Sequence, residues 1–112
     1  MTELPEGLKR VECPELVEGL VWVYILLMCN GMLYVGQSHD VAKRLRRHAD
    51  GTGARQTKQL KEFILIFTEG PMDPLAATKR ERQLKKWSRA KKLALISGDI
   101  EALKNLSKSR DS

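Results

Sequence analysis

Cysteine is scarce in this chain: Cys13 and Cys29 are the only two in 112 residues. Without CxxC spacing they do not make a zinc site, and they are too few for the disulfide framework of a small secreted domain. Aromatic side chains make up only 5% of the sequence, so aliphatic residues must fill the core. No apolar run approaches the roughly 20 residues that a membrane-spanning helix needs. The start, MTELPEGLK, is acidic and lacks an apolar stretch, so no signal peptide is expected and a reducing, cytoplasmic location is. No internal repeat or linker divides the chain, and its length suits one small domain with a modest core.

What the sequence does have is positive charge. The formal net charge is +6 and the pI is near 9.6. That balance points to a polyanionic partner, nucleic acid before membrane.

The stretch from Trp22 to Gly36, WVYILLMCNGMLYVG, organises the rest. Val21–Cys29 is apolar or aromatic throughout, the pattern of a central strand covered on both faces. Asn30-Gly31 breaks the run, and a second strand is expected over Met32–Ser38. Asn-Gly between two such runs is a strong hairpin signal, because both residues tolerate positive φ. The loop length matters for the two tyrosines. A two-residue turn would pair Leu27 with Tyr34 and put Tyr24 and Tyr34 on opposite faces. A three-residue loop, Cys29-Asn30-Gly31 with Gly31 left-handed, pairs Leu26 with Tyr34 and puts both on one face. A site shared by the two tyrosines needs the second register, or a bulge with the same effect, and that is the expectation.

Residues 1–19 carry Pro5, Gly7, Pro14 and Gly19 and read as a loosely ordered leader outside the core. Residues 20–107 read as the single domain and 108–112 as a frayed tail. Asp40 is a good N-cap for a helix over Val41–Ala49. Val41, Ala42, Leu45 and Ala49 form its apolar stripe, Lys43, Arg46 and Arg47 lie opposite, and Arg44 and His48 fall at the margin. DGTGARQTKQ at 50–59 reads as a loop, whose Arg55 and Lys58 either meet a phosphate or are simply solvated. Phe63–Thr68 reads as a third strand, ended by Gly70-Pro71. Asp73-Pro74 then opens a strongly basic helix to about Ser88, carrying Lys79, Arg80, Arg82, Lys85 and Lys86. Ala77, Leu84 and Trp87 form its apolar stripe, and Glu81 lies on or beside it. A carboxylate facing inward is costly unless it is paired or bound to a cation. Lys91–Ser97 reads as a further short helix and Ile100–Leu106 as a last amphipathic turn.

This order of features resembles the GIY-YIG nuclease superfamily, with the greatest likeness to its small stand-alone bacterial (UPF0213-like) proteins. Val23-Tyr24 stands where the second half of GIY would be, with Trp22 in place of the glycine. Tyr34-Val35-Gly36 matches YIG with a conservative valine. Arg44 sits at the expected distance within GQSHDVAKRLRRH, and GTGARQTK is similar to the glycine-rich loop, with Gln56 where an aromatic is common. ATKRERQLKKWSRAKKLALI resembles the metal-binding helix and the segment after it. The resemblance covers about residues 20–97.

It implies an α/β (α+β) fold: a small three-stranded antiparallel sheet flanked by helices. It implies hydrolysis of DNA phosphodiesters with one divalent metal, Mg²⁺ or Mn²⁺. By position, Glu81 would ligate the metal and Arg44 would neutralise the scissile phosphate. Tyr24 would be the general base, Tyr34 would orient the water or assist, and His48 would share the base role or hold the phosphate. Arg47, Arg55, Lys58, Lys79, Arg82, Lys85 and Lys86 are the candidate contacts to a duplex or branched DNA backbone. A free tyrosine, with a pKa of about 10, is a poor base unless a nearby cation lowers that value. Each residue also has a plainer reading: Tyr24 as a core tyrosine, Arg44 as a surface cation, Glu81 as the partner of a lysine or arginine on its own helix. Low sequence specificity, a monomer or weak homodimer, and a role in DNA repair or recombination are expected. A non-catalytic nucleic-acid-binding protein with the same fold is the alternative.

Overall fold

In the computed structural model, residues 8–28, 30–50 and 63–107 are described, apart from the side chains of 48–50 and 106–107. The elements run β1 (Val21–Met28), β2 (Leu33–Ser38), α1 (Val41–Asp50), β3 (Phe63–Met72), α2 (Pro74–Lys86), α3 (Arg89–Ser97) and α4 (Ile100–Ser107). The strands form one antiparallel sheet in the order β2-β1-β3. This is the expected α/β architecture, and the central position of β1 explains its unbroken apolar run. Its odd-numbered residues Val23, Ile25 and Leu27 pack with Val35, Ile66, Ala77 and Leu84, on the face that α2 covers. Tyr24, Leu26 and Met28 point the other way and pack with Val41 and Leu65, on the face that α1 covers.

The hairpin has the expected register. The Met28 N–H donates to the Met32 carbonyl at 2.9 Å and the Gly31 N–H to the Met28 carbonyl at 2.8 Å. Gly31 has φ +86°, a conformation that costs a glycine little. The Asn30 side chain accepts from the Met32 N–H at 3.0 Å, tightening the turn. Leu26 therefore pairs with Tyr34, and Tyr24 with Gly36. Residues opposed across a ladder share a face, so both tyrosines lie on the α1 side.

β3 runs further than expected. It continues through Gly70-Pro71 to Met72, because a bulge absorbs the break: Val23 pairs with Glu69, but Val21 pairs with Met72. Gly70 adopts φ +135°, and a Cβ there would lie 3.0 Å from the Val21 carbonyl oxygen. Pro71, which has no N–H to give, sits in this irregularity on an edge strand, where a missing ladder bond is tolerated.

Asp73 caps α2 as expected, accepting from the Leu75 N–H at 2.9 Å with Pro74 first in the helix. The helix stops at Lys86 rather than Ser88. Trp87 is extended, and the Ser88 hydroxyl turns forward to cap α3, accepting from the Lys91 N–H. Gly98, at φ +75°, ends α3.

The leader departs from expectation. Leu8 is only 7% exposed and belongs to the core cluster under α2. The Val11 N–H donates to the Leu65 carbonyl at 2.9 Å, and the Trp22 indole N–H donates to the Glu15 carbonyl at 3.0 Å. This segment lies against β3, an edge strand whose unpaired backbone groups need a partner. Trp22, which stands in place of a glycine, helps to hold it there.

Leu8→Ala should therefore cost about 2–3 kcal/mol in urea unfolding, the range for truncating a buried leucine. Leu16→Ala, at a site 56% exposed, should stay within about 0.5 kcal/mol of the parent. Equal, small effects at both positions would show that the leader does not contribute to the core.

Candidate active site

Tyr24 projects from the central strand across β2 at Gly36. A Cβ on Gly36 would lie 2.6 Å from the Tyr24 hydroxyl oxygen and 2.7 Å from its Cζ. The missing side chain is the passage through which the phenol reaches the β2 edge. The glycine of Tyr34-Val35-Gly36 thus has a steric reason that needs no positive φ. Tyr24 is fully buried, and its hydroxyl has no hydrogen-bond partner among the described residues. A buried hydroxyl without a well-formed protein hydrogen bond is costly and calls for an explanation.

Its surroundings set its ionisation. Burial pushes the Tyr24 phenol above its ordinary value of 10.0. The Arg44 guanidinium opposes the shift, while the Tyr34 phenol and the Glu81 carboxylate add to it. Arg44 therefore approaches the hydroxyl closely enough to favour the phenolate, but it stays exposed and forms no hydrogen bond of good geometry there. Desolvation outweighs the guanidinium, and the net shift is upward.

Arg44 stands one turn into α1, its N–H bonded to the carbonyl of Asp40, whose carboxylate caps the helix through the Lys43 N–H at 3.1 Å. Ser38, His39, Asp40, Lys43, Arg44 and Arg47 line a pocket of about 220 Å³. Three cations against one carboxylate make it suited to an anion.

Glu81 arrives from the other face of the sheet. Gln37 follows Gly36 and points oppositely, toward α2. Its amide N–H donates to Glu81 Oε1 at 2.6 Å and to the Thr78 hydroxyl at 3.3 Å. Lys85 Nζ lies 2.8 Å from Glu81 Oε2, so an ion pair along the helix is formed. Tyr24, Tyr34, Arg44 and Glu81 are thus brought together around one strand edge. Lys79, Arg82 and Lys86 are exposed, and their spacing puts them on one ridge of α2 with Lys85 beside it. His48 lies on α1 with its side chain outside the described residues, and Arg55 and Lys58 also lie outside them.

Arg80 has a structural role: it pairs with Glu69 at 2.8 Å and lies 5.2 Å from the centroid of Trp87, which Lys91 also approaches at 4.3 Å. Sequence reasoning missed Gln37, although strand alternation after Gly36 signals its direction. It also missed Ser38, His39 and Lys43 as pocket walls.

Among the described residues no three His, Cys, Asp or Glu side chains cluster to hold a metal. The donor set still fits a hard divalent ion. Mg²⁺ keeps several waters and takes one or two protein carboxylates plus substrate phosphate oxygens, and Glu81 is an oriented, half-buried carboxylate of that kind.

Fold and site together define a small α/β domain with phenol, guanidinium and carboxylate gathered at the edge of a three-stranded sheet. The chain belongs to the GIY-YIG family: the GIY-YIG catalytic domain matches residues 20–94, from β1 into α3. A UPF0213 protein of Staphylococcus saprophyticus is 40% identical over 76 residues, covering 68% of this chain and 93% of that protein. A UPF0213 protein of Staphylococcus aureus is 39% identical over 75 residues, covering 67% and 92%. No solved structure matches. GIY-YIG is a superfamily of nucleases, hydrolases that act on DNA and generally use a divalent metal. No described helix is long and apolar enough to cross a membrane.

Two measurements test this geometry. Gly36→Ala should destabilise the protein by about 1–3 kcal/mol through overpacking, and Tyr24→Leu should relieve most of that penalty in the double variant. Additive costs would mean that the two side chains do not compete for space. The raised Tyr24 ionisation also has a stability sign. The folded state holds this proton more tightly than the unfolded one, so its contribution is intact below pH 10.0 and is lost as pH rises further. Alkaline unfolding of Tyr24→Phe should therefore show a weaker pH dependence above 10 than the parent; identical profiles would exclude the shift.

Proposed function

We propose that the protein is a divalent-metal-dependent endonuclease that hydrolyses DNA phosphodiester bonds with low sequence specificity, in DNA repair or recombination. The observation that carries this reading is the buried, unpartnered Tyr24 hydroxyl, admitted to the strand edge by Gly36, with Arg44 and Glu81 beside it. A core tyrosine would bury its ring and satisfy its oxygen; this hydroxyl is buried without a protein hydrogen-bond partner among the described residues.

Arg44 binds the scissile phosphate, with a planar fork that matches two oxygens and never loses its charge. Tyr24 meets the attacking water and takes its proton, with Tyr34 on the same face to orient that water. Burial opposes the transfer, so the phenolate fraction limits the rate at neutral pH. Glu81 holds the divalent ion, which when bound stabilises the charge developing on phosphate and leaving oxygen. Arg47, Lys79, Arg82, Lys85 and Lys86 meet backbone phosphates, which position the duplex without reading its bases.

A second reading, a DNA-binding protein without catalysis, draws on one observation: both Glu81 oxygens already have partners, Gln37 and Lys85. Cleavage of supercoiled and branched DNA separates the two. In Mg²⁺ or Mn²⁺ the parent should cut, EDTA should stop it, and Glu81→Ala and Arg44→Ala should each lower the rate about a hundredfold or more. The rate should rise with pH through the neutral range, and Tyr24→Phe should lose about 10²–10⁴-fold. Binding without cutting on every substrate would leave the second reading; cutting that survives Glu81→Ala would remove Glu81 from the site.

A further inference from the structure

We propose that Lys85 is a resident placeholder cation on Glu81 that the divalent ion must displace, and that Gln37 is the positioning residue that keeps the carboxylate aimed while this exchange occurs. The inference rests on the reading of Glu81 as the metal ligand.

The two contacts on Glu81 differ in kind. Gln37 reaches it from a strand, across 44 residues of sequence, in a partly buried bond of 2.6 Å. The amide must present its N–H side, because a carboxylate only accepts. The same amide touches the Thr78 hydroxyl one turn earlier on α2, so two points on the helix fix its orientation. This contact does not depend on cations. Neutral and held by the β2 backbone, Gln37 leaves the charge of Glu81 intact.

Lys85 is different. It lies four residues along the same helix, on Glu81 Oε2, and its side chain is 57% exposed against 18% for Glu81. Exposed i,i+4 pairs are weak and screened by salt. Its ammonium has open solvent to swing into and, in a complex, backbone phosphates to pair with. Oε2 is therefore the oxygen that a metal ion takes over. In the free protein Lys85 spares the half-buried carboxylate an unpaired charge. The same lysine that blocks the metal position when DNA is absent becomes a phosphate contact when the ion arrives.

The pair predicts effects of opposite sign from two neighbours of one carboxylate. Mn²⁺ binding to the full chain without DNA, followed by water-proton relaxation, reads them directly. Lys85→Met should tighten Mn²⁺ binding about twofold to fivefold, by removing a competitor of surface ion-pair strength. Lys86→Met, which removes the same charge one residue on, should move it by less. Gln37→Leu should weaken Mn²⁺ binding about tenfold, the usual consequence of losing a partner that orients a metal ligand. Its unfolding midpoint should stay near the parent's. Glu81→Ala should abolish the signal.

If Glu81→Ala removes Mn²⁺ binding but Lys85→Met and Lys86→Met behave alike, the placeholder role is overturned. A Gln37→Leu affinity equal to the parent's removes the positioning role. If Mn²⁺ binding survives Glu81→Ala, or is absent even from Lys85→Met, the metal assignment itself fails and this inference with it.

Discussion

Everything at the β2 edge depends on the contact between the Tyr24 phenol and the bare backbone of Gly36. The phenol passes where a Cβ would sit, with an oxygen that would be 2.6 Å from that atom. One constraint thereby fixes several others. The hairpin must have the register that opposes Tyr24 to Gly36, which the three-residue loop and left-handed Gly31 supply. Tyr34 must then fall on the same face, two residues before. β2 must be the outer strand, or the phenol would reach another strand instead of the sheet's margin.

The residue after that glycine brings in the second face. Strand alternation sends Gln37 toward α2 just as Gly36 opens toward α1. A sheet normally separates the chemistry of its two faces by its own thickness. At an edge strand they meet around the margin, and the Glu81 charge is felt at the Tyr24 hydroxyl. Two successive residues of β2 thus join a guanidinium on one helix to a carboxylate on another. The fold needs no long loops for this, which suits a chain with few residues to spare.

Much of this was legible in the sequence because it rests on local rules. The unbroken apolar run gave β1 its central place, Asn-Gly placed the turn while the need for both tyrosines on one face chose the register, and Asp73-Pro74 marked the start of α2. What could not be read is long-range. Leu8 and Val11 look like isolated apolar residues in a Pro- and Gly-rich leader, and only the open edge of β3 tells where they go. Gly70-Pro71 carries a strong stop signal, yet a bulge carries the strand past it. The direction of the Tyr24 shift also escaped, because it is a contest between burial and a neighbouring cation. Sequence can name the cation, but the degree of burial exists only in the fold.

That contest says how the site rests before it meets a substrate. Desolvation outweighs Arg44, so Tyr24 holds its proton more tightly than a free phenol does. Lys85 sits on Oε2 of Glu81, the oxygen that on the proposed reading a metal ion would take. On the proposed reading both features oppose chemistry in the free protein, and the same ligands act on both. A divalent ion near the strand edge adds the positive charge that favours a phenolate, and it competes with Lys85 for the carboxylate. A phosphate adds negative charge, which alone would push the phenol further up. On the proposed reading the two ligands act with opposite sign on Tyr24, so the charge balance between them bears on whether its proton leaves.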